Sequence, residues 1–207
     1  MWIRKLMKNN KAFAEIIDSS LQGWLAQSWQ WNQFPQFGSL VMVETKKRTL
    51  FGIVHQIQTG SMEPMRYPFP YQKTEEELLR EQPQIFEFLK TTFSCLAIGY
   101  QEKGKMFYLA APEPPQIHSF VAPMDTDTAK QFLYSERYLH VLFGAAQLFN
   151  VDELLLAVLK QHADLNILST DKVTSFINTY SLLTGNDYRR LKLFLQRVEP
   201  IVGDSQT

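Results

Sequence analysis

Along residues 12–58 apolar and polar residues alternate in short runs separated by turn residues, the period of half-buried strands. "AFAEII" (12–17) ends at Asp18-Ser19-Ser20, and "GWLAQSWQW" (23–31) closes at Pro35. "GSLVMVE" (38–44) and "LFGIVHQIQ" (50–58) flank the charged tip "ETKKRT", which predicts a hairpin. In its second arm the alternation predicts one face carrying Phe51, Ile53, His55 and Ile57. Residues 61–73 read as loop. Thr74 followed by Glu77 is a capping box, so a helix opens there, and Pro83 opens a second short helix, "PQIFEFLK". "TFSCLAIGY" (92–100) and "MFYLAAP" (106–112) return to strand character.

Pro112, Pro114 and Pro115, three prolines in four residues, predict a stiff extended linker and a boundary. Beyond it the period becomes helical. "DTDTAKQFLYSERYLHVLFGAAQLF" starts at an Asp or Thr cap, and Asn150 caps "VDELLLAVLKQHA". Ser169 or Thr170 opens "DKVTSFINTYSLL", which Gly185 ends, and Asn186 caps "DYRRLKLFLQRVE" with a stripe of Leu191, Phe194, Leu195 and Val198. Four short amphipathic helices predict a bundle. The expected fold is α+β: a small antiparallel β-barrel over 1–122 with a helical insertion at about 74–91, then a helical bundle over 123–207.

Composition narrows the functional classes. The chain has 207 residues, 45% of them apolar, and a formal net charge of zero. That argues against a general nucleic-acid coat but leaves room for a local basic patch. Cys95 is the only cysteine, which excludes an intrachain disulfide and a thiol-rich zinc site; a reducing, cytoplasmic setting is expected. No run approaches the roughly 20 apolar residues of a membrane span. The start is basic, with Arg4, Lys5, Lys8 and Lys11, and Trp2, Ile3, Leu6 and Met7 share one face of a helical turn. A short N-terminal helix or frayed end is expected there rather than a membrane anchor.

"GYQEKGKM" (99–106) puts Gly99, Gly104 and Lys105 on the spacing of a phosphate-binding loop. Such a loop needs a helix after the lysine and a Ser or Thr to hold magnesium. Met106 takes that place, and a strand-like, proline-bound segment follows. The stretch therefore reads as a hairpin with Gly104 at a positive φ. His55, His118, His140 and His162 show no metal-ligand spacing. Cys95 sits in an apolar strand, where a buried structural thiol is expected. No catalytic, cofactor-binding or metal-ligating residue is assigned.

Two clusters are candidates for contact with a partner. Trp24, Trp29 and Trp31 with Lys46, Lys47 and Arg48 could stack and hold single-stranded nucleic acid, as small barrels do. The same residues also suit a tryptophan-rich core with a solvated tip. Arg189, Arg190 and Lys192 form a second basic cluster on the last helix, either a wet face or a contact for an acidic partner.

The order of the first half resembles the HAS barrel, the small β-barrel that opens HerA-type DNA translocases and is similar to the N-terminal barrel of rotary ATP synthase catalytic subunits. The family's Gly-x-x-V-x-V strand is matched by Gly38-Ser39-Leu40-Val41-Met42-Val43, with Leu40 in its first variable place. Its Tyr/Phe-Gly-x-V strand is matched by Phe51-Gly52-Ile53-Val54. "EQPQIFEFLKTTFSCLAIGY" resembles the helical insertion and return strand, and "APEPPQIHSFV" the proline-rich exit. The resemblance covers residues 11–122. In the family an ATPase core follows that exit; here helices follow. The resemblance thus implies a barrel without its motor: a non-catalytic adaptor docking to an ATPase or nuclease partner, with self-assembly also within the family's habits. A single-stranded nucleic-acid-binding barrel is the alternative. A membrane partner is not expected.

Overall fold

The computed structural model describes residues 11–63, 69–167 and 169–203. The amphipathic reading of Trp2, Ile3, Leu6 and Met7 lies outside the described residues, as does part of the loop read over 61–73. Seven strands are described: β1 (Ala14–Ser19), β2 (Gly23–Ser28), β3 (Leu40–Glu44), β4 (Thr49–Ser61), β5 (Leu89–Glu102), β6 (Lys105–Phe107) and β7 (Phe120–Pro123). Six of them close into an antiparallel barrel in the order β1-β7-β3-β4-β5-β2 and back to β1. The seventh, β6, extends the end of β5.

Two apolar cores share one wall. Inside the barrel lie Ile16, Trp24, Val41, Val43, Leu50, Val54, Phe93 and Val121, among others. On the other side of the same sheet, Leu40, Phe51, Ile53, Leu96 and Ile98 pack against the helices. β4 over residues 50–54 and β5 over residues 95–100 are therefore buried on both faces, which is why "LFGIV" and "CLAI" read as continuous apolar runs rather than alternating ones. Each fully buried aliphatic or aromatic side chain contributes about 1.5–3 kcal/mol.

The register breaks where the shared wall bends. Val54 pairs with Cys95 and Gln56 with Ser94, so His55 is an extra, bulged residue. The bulge overturns the expected single face of β4: Phe51 and Ile53 meet the helices, whereas Ile57 turns to the barrel core. Period alone could not register one inserted residue. Gly52 lies under the Trp24 ring; a β-carbon there would come 2.5 Å from the indole.

Between β4 and β5 the insertion forms α1 (Glu75–Glu81) and the short α2 (Gln84–Glu87). The Thr74/Glu77 capping box is present with both hydrogen bonds. The "GYQEKGKM" stretch is the β5–β6 hairpin: Glu102 pairs with Lys105 around Lys103 (φ 49°) and Gly104 (φ 76°), both in the left-handed region that a two-residue type I′ turn needs.

The proline segment is pinned to the barrel. Pro115 is buried, and its carbonyl accepts a hydrogen bond from Ser19 Oγ at 2.6 Å. It delivers β7, a four-residue strand too short to show a period, which fits between β1 and β3. The helical part comprises α3 (Thr126–Leu133), α4 (Tyr138–Gly144), α5 (Val151–Asp164), α6 (Thr170–Leu183) and α7 (Tyr188–Gly203). The long amphipathic run after Asp125 is thus two helices, giving five where four were expected. The break at Tyr134–Arg137 lets Phe132, Leu133, Tyr138, Leu139 and Leu142 all reach the core. Asn150 and Ser169 cap as expected, but α7 is capped by Asp187, whose Oδ1 accepts from Arg190 N at 3.0 Å; Asn186 instead takes a left-handed φ of 59°.

Two stability predictions come from this packing. Gly52→Ala forces a methyl into the Trp24 ring and should cost about 1–3 kcal/mol, lowering Tm by roughly 2–4 °C per kcal/mol; Trp24→Phe in the same chain should recover part of the loss in a thermal melt. His162 is buried in the last turn of α5, where Nδ1–H donates to the Val158 carbonyl at 2.8 Å. Burial holds its pKa below the ordinary 6.5. The unfolded chain therefore binds more protons as pH falls through that value, so the stability is present above it and is lost toward acid. The urea midpoint should be lower at about pH 5.5 than at about pH 7.5. His162→Gln should flatten that slope, leaving the part due to His55, whose pKa burial also lowers.

Candidate functional site

The two sequence-selected clusters come apart in the fold. Trp24 is 3% exposed inside the barrel, which takes it out of any contact surface. Trp29 is 53% exposed and stands edge-on to Phe120, with ring centroids 5.4 Å apart. Trp31 is half-buried and stacks on Phe86 at 5.5 Å, and its carbonyl accepts from the Thr91 hydroxyl. The three tryptophans thus occupy three settings and form no stacking track. At the β3–β4 tip, Lys46 is exposed, while Lys47 lies 3.6 Å from Glu113. Arg48 is folded down on the barrel, 3.3 Å from Glu102 and over the Tyr100 ring at 5.5 Å. Two of the three cations there already face carboxylates.

The second cluster divides as well. Arg189 and Lys192 are exposed on α7. Arg190 turns inward and grips Asp152 of α5 through Nε (3.0 Å to Oδ2) and Nη2 (2.8 Å to Oδ1). The Tyr180 hydroxyl of α6 donates to the same Oδ1 at 3.1 Å, and its pKa is pushed up to about 12, first by burial and then by the Asp152 charge. One carboxylate therefore ties three helices together. A bidentate arginine is suited to this, because its planar fork matches the two oxygens.

The titratable groups do not converge. His118 Nδ1 is 2.5 Å from Glu15 Oε1 on the barrel surface, and His55 leans on Phe149 at 5.2 Å. Cys95 is walled into the barrel core, where burial pushes its thiol pKa well up and disfavours the reactive thiolate. Among the described residues no group of three His, Cys, Asp or Glu side chains could hold a metal ion. No helix among them is long and apolar enough to cross a membrane.

What the structure does assemble is a cavity of about 480 Å³ that sequence reading missed. It opens between the β2–β3 loop, the start of β1, and helices α3 and α5. Its walls include Phe13, Phe34, Leu40, Met124, Ala129 and Leu165. These residues come from five separate stretches of chain, so no local pattern marks them. The loop is fixed at Gly38, which has a φ of +79° and whose N–H donates to the Val54 carbonyl at 2.8 Å. Its own carbonyl accepts from Gln161 Nε2, and a β-carbon at this position would come 2.5 Å from the Ala157 methyl. Helix α5 thus lies directly on the loop. Phe34 and Phe37 of that loop stay exposed, at 45% and 41%. The one charged residue among the cavity's lining residues is Asp164, at the C-terminal end of α5. A smaller groove of about 310 Å³ runs along the outer face of α7 past Tyr188, Leu191 and Leu195.

No protein-family model matches the chain, and no curated protein sequence matches it.

The arrangement can present shaped apolar surface; among the described residues it brings no nucleophile, base and oxyanion donor together. The clamp makes a direct prediction. In a double-mutant cycle, Asp152→Ala and Arg190→Ala should show a coupling energy of about 1 kcal/mol, the upper range for a partly exposed pair. Urea unfolding checks it, and additive effects would show that the pair is not coupled.

Proposed function

We propose that this chain is a non-catalytic protein-interaction module, an adaptor whose barrel resembles the HAS barrel and which docks to an ATPase or nuclease partner. The observation that carries this reading is the closed six-stranded antiparallel barrel whose proline-rich exit leads into helices packed back onto it. In support, Gly38, Val41 and Val43 lie beside Phe51, Gly52 and Val54: Val41 pairs with Gly52 and Val43 with Leu50. The lysine-bearing loop is a tight hairpin turn, with no helix N-terminus behind it to receive phosphate.

The single-stranded nucleic-acid reading draws support from exposed Trp29 and Lys46. Trp24 is buried, and Lys47 and Arg48 face Glu113 and Glu102, which cancels much of the charge that counterion release would need.

The deciding measurement is cross-linking of the full chain in its native cells, followed by mass spectrometry. A single ATPase or nuclease subunit, cross-linked reproducibly, is the expected result. ATP hydrolysis by the purified chain that Lys105→Ala abolishes would overturn the proposal. So would salt-dependent oligonucleotide binding that Trp29→Ala weakens by about 1–3 kcal/mol, the usual worth of one stacked base.

A further inference from the structure

The cavity between the β2–β3 loop and helices α3 and α5 has three properties that together define an occupant. It is built rather than slack, because Gly38 is held from one side by Val54 and from the other by Gln161 and Ala157. Its size, about 480 Å³, lies in the range of pockets that bury a ligand or an anchoring side chain. Its apolar surface also does not stop at the mouth. Phe34, which lines it, and Phe37, three residues further along the loop, are both exposed.

The charge at the mouth has a sign. Asp164 is the last residue of α5, where the helix carbonyls already present partial negative charge and a cation is the favoured neighbour. An acid there is locally unfavourable. Among the described residues, no cation lies within ion-pairing distance of it, and Lys160, one turn earlier, does not pair with it. A second exposed acid, Asp125, caps α3 and directly precedes the lining residue Thr126. A local conflict of this kind is relieved by a partner of opposite charge.

We propose that this cavity is the docking point for a basic-apolar peptide segment of a partner protein, which inserts a large apolar side chain between Phe13, Phe34 and Leu165 and sets a lysine or arginine against Asp164. The inference rests on the interaction-module reading and names the chemistry that module recognises. Anchors of this type, one apolar side chain in a pocket ringed by polar contacts, supply most of the affinity at protein interfaces.

The test is selection of short random peptides on the full chain, followed by affinity measurement on two variants. Thr126→Trp narrows the mouth and Asp164→Lys reverses its charge. Both residues are exposed, so Thr126→Trp should melt with the wild type and Asp164→Lys at or slightly above it, since a lysine suits the helix C-terminus. Selected peptides should share a large apolar residue within a helical turn of Lys or Arg. Thr126→Trp should weaken them at least about tenfold, and Asp164→Lys about three- to fivefold. Selected peptides without that pattern, or peptides indifferent to both variants, would retire the cavity. The adaptor reading would survive that result, since cross-linking tests it independently. Saturation of the cavity by dodecylamine with no peptide bound would make it a small-molecule site, and self-association lost in Thr126→Trp would assign it to a second copy; either result overturns the proposal.

Discussion

Residues 50–54 of β4 and the facing residues 95–100 of β5 have almost no solvent face, and the rest of the molecule is organised by that constraint. One side of the pair closes the barrel over Trp24, Phe93 and Val54; the other receives the helices on Phe51, Ile53, Leu96 and Ile98. A two-sided apolar sheet cannot be left half-covered in water, so the barrel and the helices need each other. The bulge at His55 follows from the same demand. The strand has to shift its faces as it leaves the helices, and one extra residue accomplishes this.

Helix α5 is the piece through which the constraint spreads. Leu154, Leu155, Val158 and Leu159 bury it in the helical core. Its first turn holds Arg190 and Tyr180 through Asp152, its middle rests on Gly38 through Ala157, and its last turn carries His162 inward and Asp164 outward. The cavity is the space left at the barrel rim between helices α3 and α5 and a loop that Gly38 ties to both the barrel and α5. It is a consequence of packing, and its position at the rim leaves it accessible.

On the adaptor reading, the Lys103–Gly104 turn and the cavity have opposite meanings. The turn carries the spacing of a nucleotide loop but none of its geometry, because Lys105 begins a strand. The cavity carries no sequence motif but has walls, a fixed loop and a charge at its mouth. Spacing is a statement about the chain, whereas binding depends on which surfaces the fold brings together.

Much of the local structure was legible in the chain. Alternation placed β1 to β4, the Thr74/Glu77 box and the Asn150 and Ser169 caps were readable from residue type, and Lys103-Gly104 reads as a turn because glycine tolerates positive φ. These features depend on a residue and its near neighbours, and that information is local. What lay outside it was longer-range. β7 is too short for a period, the break at Tyr134–Arg137 answers to the core beneath it, and Ile57 changed faces because of a bulge set by its partner strand. The burial of Trp24, the inward turn of Arg190 and the cavity itself depend on segments far apart in sequence meeting at one place. Sequence alone determined which elements could form; the closure of the barrel against its helices decided which side chains were buried and which were left exposed.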